Sequence, residues 1–249
     1  MYQYNLIISI FSKDKKLEET ILDVKPLDKF THSIKRYEET NNEIISSSDI
    51  IIYDLPDNKN NFNNIKDNAK VIICCEQFDE SYENMDGVFI KPFDYEYIKY
   101  SFKKILEKIK NEEDLYYSNT CLNTAIDSIP DMFWIKSVDG IHTLINKEFC
   151  NVVGKTKEDA TGKDHYYIWN VSKNDPNSGA DVCKKTEDDV IAAGQTLRFT
   201  EYVKIKNKMR QLVTYKSPLY DRNGLVIGTV GFGHDVTDFK TWILETKYF

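Results

Sequence analysis

The chain has 249 residues, 41% hydrophobic and 29% charged, and a formal net charge of −7. That length leaves room for two domains of ordinary size, since a single core serves roughly 100 to 200 residues. No apolar stretch approaches the ~18 residues that span a bilayer, the N-terminus MYQYNLIISIFSKDKK lacks the pattern of a secretory signal, and no basic block marks a nucleic-acid footprint. The expectation is a cytoplasmic chain with no membrane span and no nucleic-acid partner. Five cysteines, odd in number and without CxxC spacing, fit reduced thiols. The adjacent Cys74 and Cys75 read as core filler.

In chain order, apolar runs at Asn5 to Phe11, Asp49 to Asp54, Lys70 to Cys75 and Gly87 to Ile90 alternate with polar, helix-compatible stretches such as Lys15 to Asp23. The runs are continuous, as strands buried on both faces of a parallel sheet require. Glycine usage marks a boundary: Gly87 alone precedes residue 111, and the other nine glycines follow it. After Pro92, Ile98, Phe102, Ile105 and Ile109 trace an amphipathic helix, which continues through a charged tail toward Leu122 and Ile126. With no Gly/Ser or Pro-rich spacer, residues 111–129 are expected to be a helical connector.

From Asp131 the pattern becomes antiparallel. DMFWIKSVDGIHTLIN reads as a hairpin around Asp139-Gly140. Helical pieces follow at Glu148 to Val153, Lys157 to Ala160 and Asp181 to Ala193, the last ended by Gly194. Leu197, Phe199, Glu201, Val203 and Ile205 then alternate with polar residues, the period of a half-buried strand. Two more strands, Gln211 to Tyr220 and Leu225 to His234, join through Asp221, Asn223 and Gly224.

Asp54 closes DIIIYDLPD and Lys91 closes GVFIKPFD, both at strand ends, where open α/β sheets bind ligands. The Lys91-Pro92 bond is a candidate cis peptide. On these residues the first 110 residues resemble a response-regulator receiver domain: flavodoxin-like, with a five-stranded parallel sheet. The resemblance makes Asp54 the phosphoacceptor candidate and Lys91 the phosphate-sensing lysine. It also implies an acidic pair for Mg²⁺ after the first strand, where this chain has Ser12, Lys13 and a lone Asp14. At the end of the fourth strand Cys75 replaces the expected hydroxyl. The expectation is a degenerate pseudo-receiver.

Residues 130–238 resemble a PAS domain: α+β, a five-stranded antiparallel sheet with flanking helices. The markers are IPDMFWIKSVDG, INKEFCNVVGKTKEDATGK and GTVGFGHDVTD. The last carries an Asp-x-Thr signature, Asp235 and Thr237, which in the family couples the sheet to an outgoing helix, here expected at 239–249. Phe133, Phe149, His165, Tyr167, Trp169, Tyr215 and Phe232 are the ligand-pocket candidates, and no cofactor is implied. GTVGFG fits a glycine-rich spacing but lies within a strand, so its glycines are expected to serve close approach rather than phosphate binding.

No catalytic constellation is present, so no enzyme is expected within these residues. The order receiver then PAS resembles the input region of bacterial signalling proteins of the diguanylate-cyclase or histidine-kinase type. A homodimer relaying a small-molecule or partner signal to a C-terminal output domain is the expected function, with a GGDEF cyclase as the foremost output. A phosphotransfer receiver using Asp54 and a structural dimerisation scaffold stay open as alternatives.

Overall fold

The computed structural model describes residues 2–56, 65–172, 180–205 and 208–237. The chain divides into two compact units, Met1–Tyr117 and Ser118–Phe249. Each is built on a five-stranded sheet.

The first unit runs β1 (Tyr4–Phe11), α1 (Lys15–Leu22), β2 (Phe30–Tyr37), α2 (Asn42–Ser47), β3 (Ile50–Tyr53), β4 (Lys70–Cys75), β5 (Gly87–Ile90) and into α3 (Tyr95–Asp127). Its strands are parallel in the order β2-β1-β3-β4-β5. This is the flavodoxin-like order, with its ligand crevice at the carboxyl ends of β1 and β3. The continuous apolar runs have the expected cause. Ile8, Ile10, Ile50, Ile52 and Ile72 pack into one core, while Phe11, Ile51, Tyr53, Val71 and Ile73 pack into another on the opposite face.

Strand β2, FTHSIKRY, produces no apolar run because it is an edge strand whose alternate residues are partly exposed. Asp14 caps α1 by accepting from the backbone N–H groups of Lys16 and Leu17, and Asp94 caps α3 in the same way. In α3 the buried positions are Ile98, Phe102, Leu106 and Ile109, with Ile126 near its C-terminal end. Ile105 is partly buried beside them. The helix is 33 residues long and unbroken from Tyr95 to Asp127.

The second unit runs β6 (Met132–Ser137), β7 (His142–Ile145), α4 (Lys147–Val153), α5 (Lys157–Ala160), α6 (His165–Trp169), α7 (Ala180–Ala193), β8 (Leu197–Ile205), β9 (Lys208–Tyr220) and β10 (Val226–Asp235). The sheet is antiparallel in the order β7-β6-β10-β9-β8. Both sheets therefore have the predicted class. The β6–β7 hairpin turns at Gly140 with φ +78, a left-handed conformation that suits glycine.

Asn146, fully buried at the step from β7 to α4, ties this end of the unit together. Its Oδ1 accepts from the N–H groups of Phe133 and Phe149. Its Nδ2 donates to the carbonyls of Ile126 and Asp131. The short α6 has no apolar periodicity of its own to reveal it. It starts at an Asp164 cap and ends at Asn170 in the left-handed region.

Candidate functional site

At the carboxyl edge of the parallel sheet, the Asp54 side chain is only 5% exposed. Its backbone N–H donates to the Phe11 carbonyl. The Lys91 ammonium forms an ion pair with Oδ1 at 2.6 Å, and the buried Ser12 hydroxyl donates to Oδ2 at 2.7 Å. Contact with Asp54 raises the Lys91 pKa above its ordinary value. The Lys91-Pro92 peptide is cis. The structure thus brings Asp54 and Lys91 together.

Asp14 does not join them as a metal ligand. One of its oxygens caps α1 and the other accepts from the Tyr95 hydroxyl at 2.9 Å. A Mg²⁺ site asks for at least one or two free carboxylates with room for several waters in an octahedron. Here Asp54 is engaged at both oxygens, and the acid expected next to it is a serine that donates to Asp54. Among the described residues no group of three or more His, Cys, Asp or Glu side chains is placed to hold a metal ion. The donor set does not fit the metal that a receiver uses.

In the second unit, the inner face of the sheet carries charge where a core would be apolar. Strand alternation turns Met132, Trp134 and Lys136 of β6 inward, with Glu201 and Val203 of β8 and Leu212, Thr214 and Lys216 of β9. Lys216, 1% exposed, donates to Glu201 at 2.8 Å, to Thr186 at 2.7 Å and to the Cys183 carbonyl at 3.4 Å. Glu201 also accepts from Thr186 at 2.6 Å and Thr214 at 3.0 Å. Burial alone would raise the Glu201 pKa, but Lys216 and the two threonines more than offset it, so its carboxyl lies below the ordinary value. A second pair, Lys136 to Glu187 of α7 at 2.5 Å, is also buried.

These pairs border a cavity of about 20 Å³, which is room for a water or two. Trp134, Phe149, His165 and Trp169 form its aromatic wall. An outer cleft of about 420 Å³ shares Lys136, His165, Cys183 and Glu187 with it. Burial, reinforced by Lys136, lowers the His142 pKa to about 3. Burial, with Lys136, His142 and Lys216 adding to it, takes that of His165 to about 2. Both imidazoles are neutral at pH 7. Trp134 Nε1, His165 Nε2 and Thr229 Oγ1 are buried with no hydrogen-bond partner among the described residues. Orphaned polar atoms of this kind are uncommon in folded proteins, where nearly all find a partner.

Of the seven aromatic and histidine candidates, Phe149, His165 and Trp169 line the cavity. The other four do not, and strand geometry explains three of them. Phe232 pairs across the sheet with both Phe133 and Tyr215. Their neighbours Trp134 and Lys216 turn inward, so this row occupies the opposite face. Tyr167 is exposed, its hydroxyl donating to Asp159 at 2.7 Å.

Sequence reasoning missed Lys136, Glu187, Glu201 and Lys216. The signal was an ionisable residue on an otherwise inward-facing stripe, visible for Glu201 between Phe199 and Val203.

Asp235 and Thr237 close the far end of β10. The Thr237 hydroxyl and N–H both donate to Asp235 Oδ1, at 2.6 and 2.9 Å. The same hydroxyl accepts from the Gln211 N–H at 2.8 Å, fixing the strand end to β9. The helix expected at 239–249 lies outside the described residues. The glycines of GTVGFG serve close approach: a Cβ on Gly231 would sit 2.1 Å from the Trp134 ring, and one on Gly228 would sit 2.0 Å from the Lys136 carbonyl oxygen.

A sheet of this order, closed by short helices over a concave face, is a PAS fold, and residues 126–241 match the family model described as the PAS fold. That segment has the PAS fold. No curated protein matches the chain. Among solved structures it is similar to the PAS domain of Bordetella pertussis BvgS, at 20% identity and a TM-score of 0.42, covering 52% of this chain and 94% of that one.

It is also similar to VqmA from Vibrio cholera in a ligand–DNA complex, at 16% identity and a TM-score of 0.40, covering 50% of this chain and 56% of that one. A third similar structure is VqmA bound to DPO, at 18% identity and a TM-score of 0.38, covering 45% and 55%. The chain thus spans little more than half the length of the VqmA chains it matches.

This comparison corrects one expectation. A chain similar to this one is held in a complex with DNA, so the exclusion of nucleic acid from net charge is withdrawn. Net charge averages over a whole chain, whereas nucleic-acid contact is made by a local surface. Among the described residues no helix is long and apolar enough to cross a membrane.

Proposed function

We propose that the chain is a sensory input region in which the PAS domain binds a small molecule and passes its occupancy on through the adjoining helices. The observation that carries this reading is the inner cavity: two buried ion pairs, two neutral histidines and two orphaned polar atoms, Trp134 Nε1 and His165 Nε2, surround a space walled by aromatic rings. A fold that needed only stability would gain as much from apolar residues of the same volume. Asp235 and Thr237 act as the coupling point, since their hydrogen bonds tie the end of β10 to β9. The region works by binding rather than catalysis, and the order of its two modules supports an output of diguanylate-cyclase type.

Native mass spectrometry of the protein purified from its host tests the sensory reading. The expected result is a small molecule that stays bound under gentle ionisation and is lost on denaturation. A chain that carries no such mass, and whose unfolding midpoint is moved by no compound in a broad metabolite screen, would be a scaffold instead.

The first domain we read as a pseudo-receiver, supported by the Ser12 and Lys91 contacts that occupy Asp54 and by the lack, among the described residues, of a carboxylate cluster that could hold a metal ion. With Mg²⁺ and beryllofluoride or acetyl phosphate, no adduct at Asp54 is expected. An adduct lost in Asp54→Asn would overturn that reading.

A further inference from the structure

The inner cavity is too small for a ligand as it stands, and its contents indicate which group gives way. About 20 Å³ holds a water or two, so any larger occupant must displace a side chain. Trp134, Lys136, Glu201 and Lys216 are strand-borne and held by the sheet. Lys216 and Glu201 are further locked to each other and to Thr186 and Thr214.

Glu187 differs. It projects from α7, its one hydrogen bond among the described residues is to Lys136, and it borders both the inner cavity and the outer cleft of about 420 Å³. Its next cation, Lys216, is 3.9 Å away. A rotation about its side-chain bonds would carry the carboxylate into the cleft.

The space it leaves has a defined chemistry. The Lys136 ammonium has three N–H donors and, among the described residues, uses one, on Glu187. Thr229, beside Lys136 on the paired strand, has an unpartnered hydroxyl on the outer cleft that Lys136, Glu187 and His165 also border, and the buried, unpartnered His165 Nε2 belongs to a residue that lines the inner cavity as well. A buried ammonium stripped of its counter-ion is strongly unfavourable, so a neutral molecule cannot replace Glu187 without leaving that charge bare. An anion can: one carboxylate enters as another leaves, and the charge of the cavity is unchanged.

Resting on the sensory reading above, we infer that Glu187 is an internal stand-in for the ligand, and that the PAS domain recognises a small carboxylate whose anionic group replaces Glu187 on Lys136 with its apolar part against Trp134, Phe149 and Trp169. Ligand binding then releases α7 from β6, which gives occupancy a mechanical consequence in the fold.

The test uses the full chain and paired probes: acetate, propionate, butyrate and benzoate, each beside its neutral amide. Binding is followed by calorimetry and by the fluorescence of Trp134 and Trp169. The acids are expected to bind at least tenfold more tightly than their amides, Glu187→Gln to tighten the acids at least tenfold by removing the competing anion, and Lys136→Met to abolish the preference. Should Lys136→Met not fold, Lys136→Arg, which keeps the charge, is expected to retain the preference. Amides binding as well as acids, no binding by any probe to either the wild type or Glu187→Gln, or a Glu187→Gln variant that binds acids no better, would overturn the inference. Amide binding that quenches the two tryptophans would leave the sensory reading standing, and that reading is judged separately by what the purified protein retains.

Discussion

Lys216 shows what a buried charge demands of its neighbours. At 1% exposure its ammonium has lost its water, and three acceptors, Glu201, Thr186 and the Cys183 carbonyl, replace it. Breaking one partner of such a pair costs ~3–5 kcal/mol, whereas replacing both with well-packed apolar groups can be neutral. Lys216→Met is therefore expected to lower stability by about 3 kcal/mol or more in urea unfolding. Adding Glu201→Leu should recover much of that loss.

The histidines give a pH dependence with a definite sign. Their folded pKa values, about 3 for His142 and about 2 for His165, lie below the unfolded value near ~6.5. The unfolded chain therefore binds more protons in that window. The stability these groups contribute is full above ~6.5 and falls by ~1.4 kcal/mol per pH unit for each as the pH drops. Lys136 faces both histidines and Lys216 faces His165, which strengthens the effect. Urea midpoints at pH 7.5 and 5.5 should differ accordingly, and His142→Gln should roughly halve the difference.

At the level of elements, β6 and β10 meet so closely that glycine is required where they touch. The Trp134 indole lies over Gly231, and a methyl there would come within 2.1 Å of the ring. Gly231→Ala is expected to push the indole aside, costing ~1–3 kcal/mol and shifting the tryptophan emission. At Gly228 the obstacle is the Lys136 carbonyl oxygen at 2.0 Å, which is backbone and cannot rotate away. Gly228→Ala should therefore destabilise more than Gly231→Ala. Equal effects from the two substitutions would count against this account of the sheet.

For the whole molecule, the two units have separate cores. The clusters around Ile8 and Tyr53 belong to the first, and the cluster around Trp134 and Phe149 belongs to the second. All three tryptophans, Trp134, Trp169 and Trp242, fall in the second part of the sequence. Tryptophan fluorescence therefore reports that part alone. Lys216→Met is expected to move the fluorescence transition while amide-exchange protection of β1 and β3 stays unchanged. A parallel loss of protection in those strands would show that the two units unfold as one.

Much of this was legible in the chain itself. Continuous runs such as DIIIYD are forced by burial on two faces, and alternation such as Leu197 to Ile205 by burial on one; hydrophobic period therefore carries the fold class. Asp54 and Lys91 could be paired because each ends a strand of the same parallel sheet. The edge strand β2 and the short α6 were not legible, since neither buries enough to leave a pattern. Nor was the cavity. Glu201 stood out on its apolar stripe, but Lys136, Glu187 and Lys216 are distant from it in sequence and look like ordinary surface charges in a chain that is 29% charged. Local sequence determined the class of the two sheets and the elements that bury a regular face; only the tertiary structure decided which of the many charges are inside, because burial depends on what packs above a residue.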